Sequence, residues 1–76
     1  MEGVWIMMPL AYATAGEENT ILTVGGRPEV KKHLETLGFV PGGKVTVVST
    51  INGNLIVNVK DSRIALDRSL AGKVMI

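Results

Sequence analysis

The chain has 76 residues, no cysteine and a formal net charge of +1. This length allows one domain with a small core, and the absence of cysteine excludes disulfides and thiolate-based zinc or iron–sulfur sites. The near-neutral charge, with one Trp, one Tyr and one Phe, is not typical of nucleic-acid binders, which present a basic face or stacking aromatics. Composition therefore predicts one small domain that does not bind nucleic acid.

The N-terminal segment is apolar from Val4 to Ala11 but is interrupted by Pro9. It lacks the basic residues of a signal peptide and is shorter than the roughly 20 residues that a membrane-spanning helix needs. We therefore predict no direct membrane insertion and interpret residues 1–7 as an extension. The next segment, residues 20–24, is rich in β-branched residues and precedes two glycines, which predicts a strand.

Residues 28–37 are predicted to form a short α-helix. Pro28 suits the first helical position, where a missing N–H costs nothing. Val30, Leu34 and Leu37 recur at the helical spacing i, i+4 and i+7 and form one apolar stripe.

The end of this helix is specified as clearly as its start. Gly38 can adopt the left-handed conformation that terminates a helix, and Phe39 would then fold back on Leu34. Residues 41–43, Pro-Gly-Gly, do not allow the helix to continue.

Residues 44–60 alternate between apolar and polar side chains on both sides of an Asn-Gly-Asn sequence, which predicts a β-hairpin. A two-residue loop would place Val47 opposite Asn58, with a polar group on the apolar face. A three-residue loop, 52–54, places Val47 opposite Val59. We therefore predict the three-residue loop.

The remaining residues predict a turn at 61–62, a strand at 63–66, one helical turn at 67–70 and a closing strand at 73–76. Several short strands separated by turns are typical of small barrels and sandwiches. The predicted fold class is mainly β, a small β-barrel with one short α-helix.

Side chains that could perform catalysis are few. His33 is the only histidine, and its position beside the apolar stripe is typical of a partly exposed helix residue. It is a weak candidate metal ligand, because no Asp, Glu or Cys stands at a supporting spacing. The serines have only this histidine to activate them, and no nucleophile motif surrounds them. The sequence predicts that the protein is not an enzyme.

The most specific pattern is L-x-x-L-G-F-x-P-G-x-x-V, residues 34–45, which resembles the core of the FeoA family of bacterial ferrous iron transport proteins. The resemblance covers residues 8–76 and includes an A-L…A pattern near the C-terminus. The matching positions are Leu34, Leu37, Gly38, Phe39, Pro41, Gly42, Val45, Ala65, Leu66 and Ala71.

The resemblance implies an SH3-like domain over residues 8–76 that is cytoplasmic and acts by binding another protein. The implied partner is the ferrous iron permease FeoB, through its cytosolic GTPase portion. Trp5, Val48 and Ile56 are candidate apolar anchors for a partner. The alternative is a sensor or chaperone that binds Fe²⁺, or another divalent transition metal, weakly through His33 and carboxylates. The matching positions are apolar or glycine, so none is assigned as a ligand.

Overall fold

The computed structural model describes residues 7–76, and their fold is mainly β, as predicted. The strands form a four-stranded sheet in the order β1-β3-β4-β5 and a two-stranded sheet of β2 and β6. All pairings are antiparallel. In chain order the elements are a 3₁₀ turn at Leu10–Tyr12, β1 at Glu18–Thr20, β2 at Thr23–Val24, α1 at Pro28–Leu37, β3 at Lys44–Ile51, β4 at Asn54–Val59, β5 at Ser62–Leu66, α2 at Arg68–Ala71 and β6 at Val74–Met75.

The predicted helix is confirmed as α1, with Pro28 at its start. Gly38 follows it with a φ of 112° and donates its N–H to the Glu35 carbonyl at 3.0 Å. The Phe39 N–H donates to the Leu34 carbonyl, also at 3.0 Å, which completes the predicted helix stop. This stop turns the Phe39 side chain into the core, where it is fully buried.

The single strand predicted at 20–24 is wrong, because Ile21 divides this segment between the two sheets. Ile21 exchanges backbone hydrogen bonds of 2.8 Å with the Gly42–Gly43 turn. One residue later, the Leu22 N–H donates to the Met75 carbonyl of β6. The chain therefore leaves β3 and joins β6 within two residues, and the Ile21 side chain is fully buried in the core.

The predicted register of the β3–β4 hairpin is also wrong. Val47 lies opposite Val57, not Val59, and the loop has two residues instead of three. Asn52 and Gly53 have φ values of 50° and 83°. Positive φ at both loop residues is the geometry of the type I′ turn that Asn-Gly favours.

A β-bulge in β3 allows the hairpin to have a two-residue loop and still keep valines paired on its core face. The register shifts by one residue between Val47 and Ser49, so Val48 is the extra residue on its strand. Without a bulge, the two-residue loop would indeed place Val47 opposite Asn58. The prediction assumed uninterrupted alternation, which a bulge breaks.

The second hairpin, between β4 and β5, turns one residue earlier than predicted. Its loop residues are Lys60 and Asp61, with φ values of 49° and 63°, and Ser62 already belongs to β5. Non-glycine residues with positive φ are uncommon, and Lys60, unlike Asp61, is not a residue type that indicates this conformation. The predicted strand at 63–66 is confirmed within β5.

The predicted helical turn at 67–70 and the closing strand are confirmed as α2 and β6. Asp67 caps α2, because its Oδ1 accepts a hydrogen bond from the Leu70 N–H at 2.8 Å. Met8 and Ile76 exchange two backbone hydrogen bonds, of 3.1 and 2.9 Å, which join the two ends of the described chain. The predicted N-terminal extension lies outside the described residues, apart from Met7.

The core lies between the two sheets, α1 and α2. It contains apolar side chains only, and among residues 7–76 no polar or charged side chain is buried. None of the helices in this part of the chain is long and apolar enough to cross a membrane. The core residues are Leu10, Ile21, Val24, Leu34, Phe39, Val45, Val47, Leu55, Val57, Val59, Leu66, Ala71 and Val74.

Candidate interaction surface

The four-stranded sheet buries one face in the core and presents the other, the outer face, to solvent. Side chains alternate along each strand, so Val45, Val57 and Val59 point inward while Thr46 and Asn58 point outward. The outer face has a polar half near β1 and the β4–β5 turn, and an apolar half toward the Asn52–Gly53 loop. We treat this face as the candidate site.

The polar half forms an open depression of about 480 Å³. Small-molecule sites are mostly apolar and enclose their ligand, whereas this depression is open and lined by charged and polar groups. It suits contacts with charged groups of a macromolecule better than capture of a small molecule. Its lining residues are Glu18, Lys44, Thr46, Asn58, Lys60 and Asp61.

Two lysines in the depression are positioned by neighbouring groups. The Lys44 Nζ donates a hydrogen bond of 2.7 Å to the Thr20 Oγ1 on the adjacent strand. The Lys60 side chain lies over Gly38, where an added Cβ would meet the Lys60 Cδ at 3.3 Å. Gly38 therefore ends α1 and also leaves room for Lys60. The sequence indicated only the first role, because the second depends on a contact between distant residues.

The apolar half is built around the β-bulge. Val48, the bulged residue, is 36% exposed, and Ile51 at the end of β3 is 54% exposed. Ile56 lies opposite Ser49 on the same face and is half-buried. Of the predicted anchors, Val48 and Ile56 therefore lie on the outer face, whereas Trp5 lies outside the described residues. The sequence did not single out Ile51, since the predicted register paired it with Leu55 on the core face.

His33 lies on the exposed side of α1. Within the part of the chain that the structure describes, no three His, Cys, Asp or Glu side chains are grouped closely enough to hold a metal ion. Among residues 7–76, His33 therefore does not belong to a group of three such side chains.

The residues of the L-x-x-L-G-F pattern and of the A-L…A pattern mostly serve the core and its turns. Gly42 has a φ of 87°, a conformation that favours glycine. Pro41 and Gly42 are exposed at this turn, Leu37 is half-buried, and Ala65 is exposed on β5. The other motif positions are buried, namely Leu34, Gly38, Phe39, Val45, Leu66 and Ala71.

One exposed aromatic contact lies away from the sheet face, between the 3₁₀ turn and α2. The Tyr12 ring is 67% exposed, and the Arg68 Cζ lies 6.0 Å from its centroid, at the outer limit of a cation–π contact. Leu22, between β1 and β2, is 39% exposed, close to the exposure of Val48. Leu22 therefore provides a matched surface position outside the candidate site.

Comparison with known proteins identifies close likenesses over nearly the whole chain. A family model described as the FeoA domain matches residues 8–76. A protein of Methanocaldococcus jannaschii, provisionally named Fe(2+) transport protein A, is 36% identical over 70 residues, which cover 92% of this chain and 85% of that protein.

Solved structures agree with this match. An iron uptake regulatory protein, FeoA, superposes with a TM-score of 0.84 and 27% identity, over 93% of this chain and 95% of its own. The FeoA of Stenotrophomonas maltophilia, solved with zinc and described as a prokaryotic SH3 domain protein, gives a TM-score of 0.77 and 27% identity, over 88% and 86%. The predicted SH3-like fold is confirmed.

Proposed function

The chain belongs to the FeoA family, and from this premise we propose that it is an accessory protein of ferrous iron transport that acts by binding a protein partner. The proposed partner is the cytosolic GTPase portion of the ferrous iron permease FeoB. The similar Stenotrophomonas protein is described as a candidate activating factor of bacterial ferrous iron transport, which supports a role beside a transporter.

The observation that carries this proposal is the outer face of the four-stranded sheet. Val48 and Ile51 expose large apolar side chains on a hydrogen-bonded sheet, next to a depression lined with charged groups. An apolar centre flanked by polar residues is the usual composition of a protein–protein interface. Because β3 and β4 are paired along their length, this face requires little ordering on binding.

We propose that residues 8–76 form the functional domain, that the protein is cytoplasmic, and that it has no catalytic activity of its own. The domain proposal is supported by the hydrogen bonds between Met8 and Ile76. The non-enzymatic proposal is supported by the apolar core and by the location of the charged groups on the surface.

The test is a binding titration of the isotope-labelled protein with the isolated GTPase portion of FeoB, with and without a non-hydrolysable GTP analogue. We expect amide shift changes to map to Val48, Ile51 and Ile56. The variants Val48→Glu and Ile51→Glu place a charge in the apolar half and are expected to weaken binding at least about tenfold, the effect of a hot-spot loss. Leu22→Glu, at a similarly exposed position, is expected to bind like the unaltered chain.

Two results would contradict the proposal. One is the absence of binding at GTPase concentrations up to about 1 mM, a free-energy limit of roughly −4 kcal/mol. The other is an equal loss of affinity in Leu22→Glu and in the two β3 variants, which would place the contact elsewhere. All three variants change exposed side chains, so unaltered thermal unfolding curves are the control for folding.

A further inference from the structure

Strand β5, Ser62–Leu66, is one edge of the four-stranded sheet. It pairs with β4 on one side, and its other side has no neighbouring strand among the described residues. Arg63 and Ala65 are exposed, and neither makes a backbone hydrogen bond to any described residue outside the sheet. An unpaired edge is a template for another strand unless the chain protects it.

The register shows which backbone groups face this open edge. In a hairpin with a two-residue loop, the residues that flank the loop exchange both hydrogen bonds, and such pairs then alternate along the ladder. Here Val59 and Ser62 flank the Lys60–Asp61 loop, so Ser62 and Ile64 direct their N–H and C=O groups toward β4. Arg63 and Ala65 therefore direct theirs to the open edge.

The neighbouring hairpin leads to the same assignment. Ile51 and Asn54 flank the two-residue Asn52–Gly53 loop, so Asn54 and Ile56 direct their backbone groups toward β3. Val57 must then direct its groups toward β5, where it pairs with Ile64. The two loops thus give one consistent orientation for β5.

We propose that β5 binds a second copy of this chain, by antiparallel pairing of the two β5 strands across a two-fold axis. Arg63 of one copy lies opposite Ala65 of the other, and the two residues exchange both backbone hydrogen bonds. The axis passes between the two Ile64 residues. This arrangement gives two hydrogen bonds on each side of the axis, four in all, and the two sides are identical, as an isologous interface requires.

Two neighbouring registers are less favourable. Pairing Arg63 with its own copy would place like charges directly opposite each other, which destabilises a sheet. Pairing Ala65 with its own copy would need the Asp67 carbonyl, which already accepts a hydrogen bond of 2.9 Å from the Ala71 N–H in α2. The Arg63–Ala65 register uses only backbone groups that have no hydrogen-bond partner among residues 7–76.

The side chains of β5 also favour pairing with a second copy of this chain. In this register Arg63 lies diagonally opposite Asp67 of the second copy, within reach of a long side chain, and the contact occurs twice. The Arg63 Nε donates a 3.4 Å hydrogen bond to the Asn58 Oδ1, and its other N–H groups have no partner among residues 7–76, so they can donate to a carboxylate. Ile64 is half-buried and would complete its burial against its own copy.

The dimer is expected to be weak. Two five-residue strands cover less area than the roughly 1,200 Å² of a stable interface. We therefore expect a dissociation constant on the order of 0.1–1 mM, so that the pairing operates where copies are concentrated at a common partner. The FeoB-binding proposal uses the outer sheet face and does not depend on this edge.

Sedimentation equilibrium and amide hydrogen exchange between 0.05 and 2 mM protein would test the proposal. We expect the mean mass to rise with concentration, and the Arg63 and Ala65 amides to become protected in parallel. Ala65→Pro removes the outward N–H without removing a hydrogen bond to β4, and should weaken dimerisation at least tenfold. Ala65→Thr keeps the N–H and should dimerise normally.

A second pair of variants keeps the test decisive if Ala65→Pro does not fold. Arg63→Asp places like charges beside Asp67 of the other copy and should weaken the dimer at least tenfold, whereas Arg63→Lys should retain it. A monomer at 2 mM overturns the proposal. So does a dimer that survives in folded Ala65→Pro or Arg63→Asp, or one whose formation leaves the Arg63 and Ala65 amides unprotected.

Discussion

At the scale of single residues, Gly38 and Phe39 connect the helix stop to the candidate site. Gly38 ends α1 in a positive-φ conformation, and its missing side chain makes room for the Lys60 stem beside the polar depression. Phe39 is fully buried at the next position. A short local motif therefore sets the end of the helix, one core side chain and the path of one surface lysine.

Replacing Phe39 by alanine is expected to lower the free energy of unfolding by about 3–5 kcal/mol, because it leaves a large cavity in a small core. Urea denaturation followed by circular dichroism would measure this loss. Tyr12→Ala removes a mostly exposed ring and is the control, with an expected change below about 1 kcal/mol. An unaltered unfolding midpoint in Phe39→Ala would contradict the burial of this side chain.

At the scale of elements, the β-bulge in β3 decides which side chains reach the outer face. It inserts Val48 into the strand, so that Val47 faces Val57 in the core while Ile51 turns outward. Uninterrupted alternation from Val47 would place Ile51 on the core face, and the extra residue places it on the outer face instead.

Deleting Val48 is expected to produce a regular hairpin that keeps both the Asn52–Gly53 loop and the pairing of Val47 with Val57. The stability loss should stay below about 2 kcal/mol, since the deleted side chain is not a core residue. Cross-strand nuclear Overhauser effects between Ser49 and Ile56 would report the register. Deleting Asn58 from the unbulged β4 is the control and should unfold the protein, because it reverses the side chains beyond that point.

At the scale of the whole molecule, the core of residues 7–76 is apolar, so the polar groups that could bind a metal or a partner lie on the surface. The surface groups that could hold Fe²⁺ are dispersed, with no group of three metal-binding side chains among residues 7–76. A role in iron transport through protein contacts is compatible with this distribution, because it requires no tight metal site on this chain.

An anaerobic titration with Fe²⁺ or Co²⁺ would test the alternative of a metal sensor centred on His33. We expect only small, unsaturated changes in the His33 amide and ring signals at micromolar metal, because one exposed imidazole supplies one ligand. In the His33→Gln variant, we expect the small metal-induced shifts at other residues to be the same as in the unaltered chain. Saturable shifts at His33 and neighbouring carboxylates, lost in His33→Gln, would favour the sensor instead.

Local sequence signals determined the short α-helix and the residues at its two ends. The limits of α1, its left-handed stop at Gly38 and the capped turn at Asp67 follow from interactions within a few residues. The FeoA family pattern was readable for the same reason, since it combines a helix stop, a turn and the start of a strand.

The tertiary structure alone decided the sheet register and the surface that follows from it. The break at Ile21, the bulge at Val48 and the open edge of β5 depend on pairings between distant residues. Side-chain alternation has a period of two, so a single bulged residue reverses every later assignment. The burial of Leu34 and Phe39 was therefore readable from the local pattern, whereas the outer face and the open edge of β5 required the folded chain.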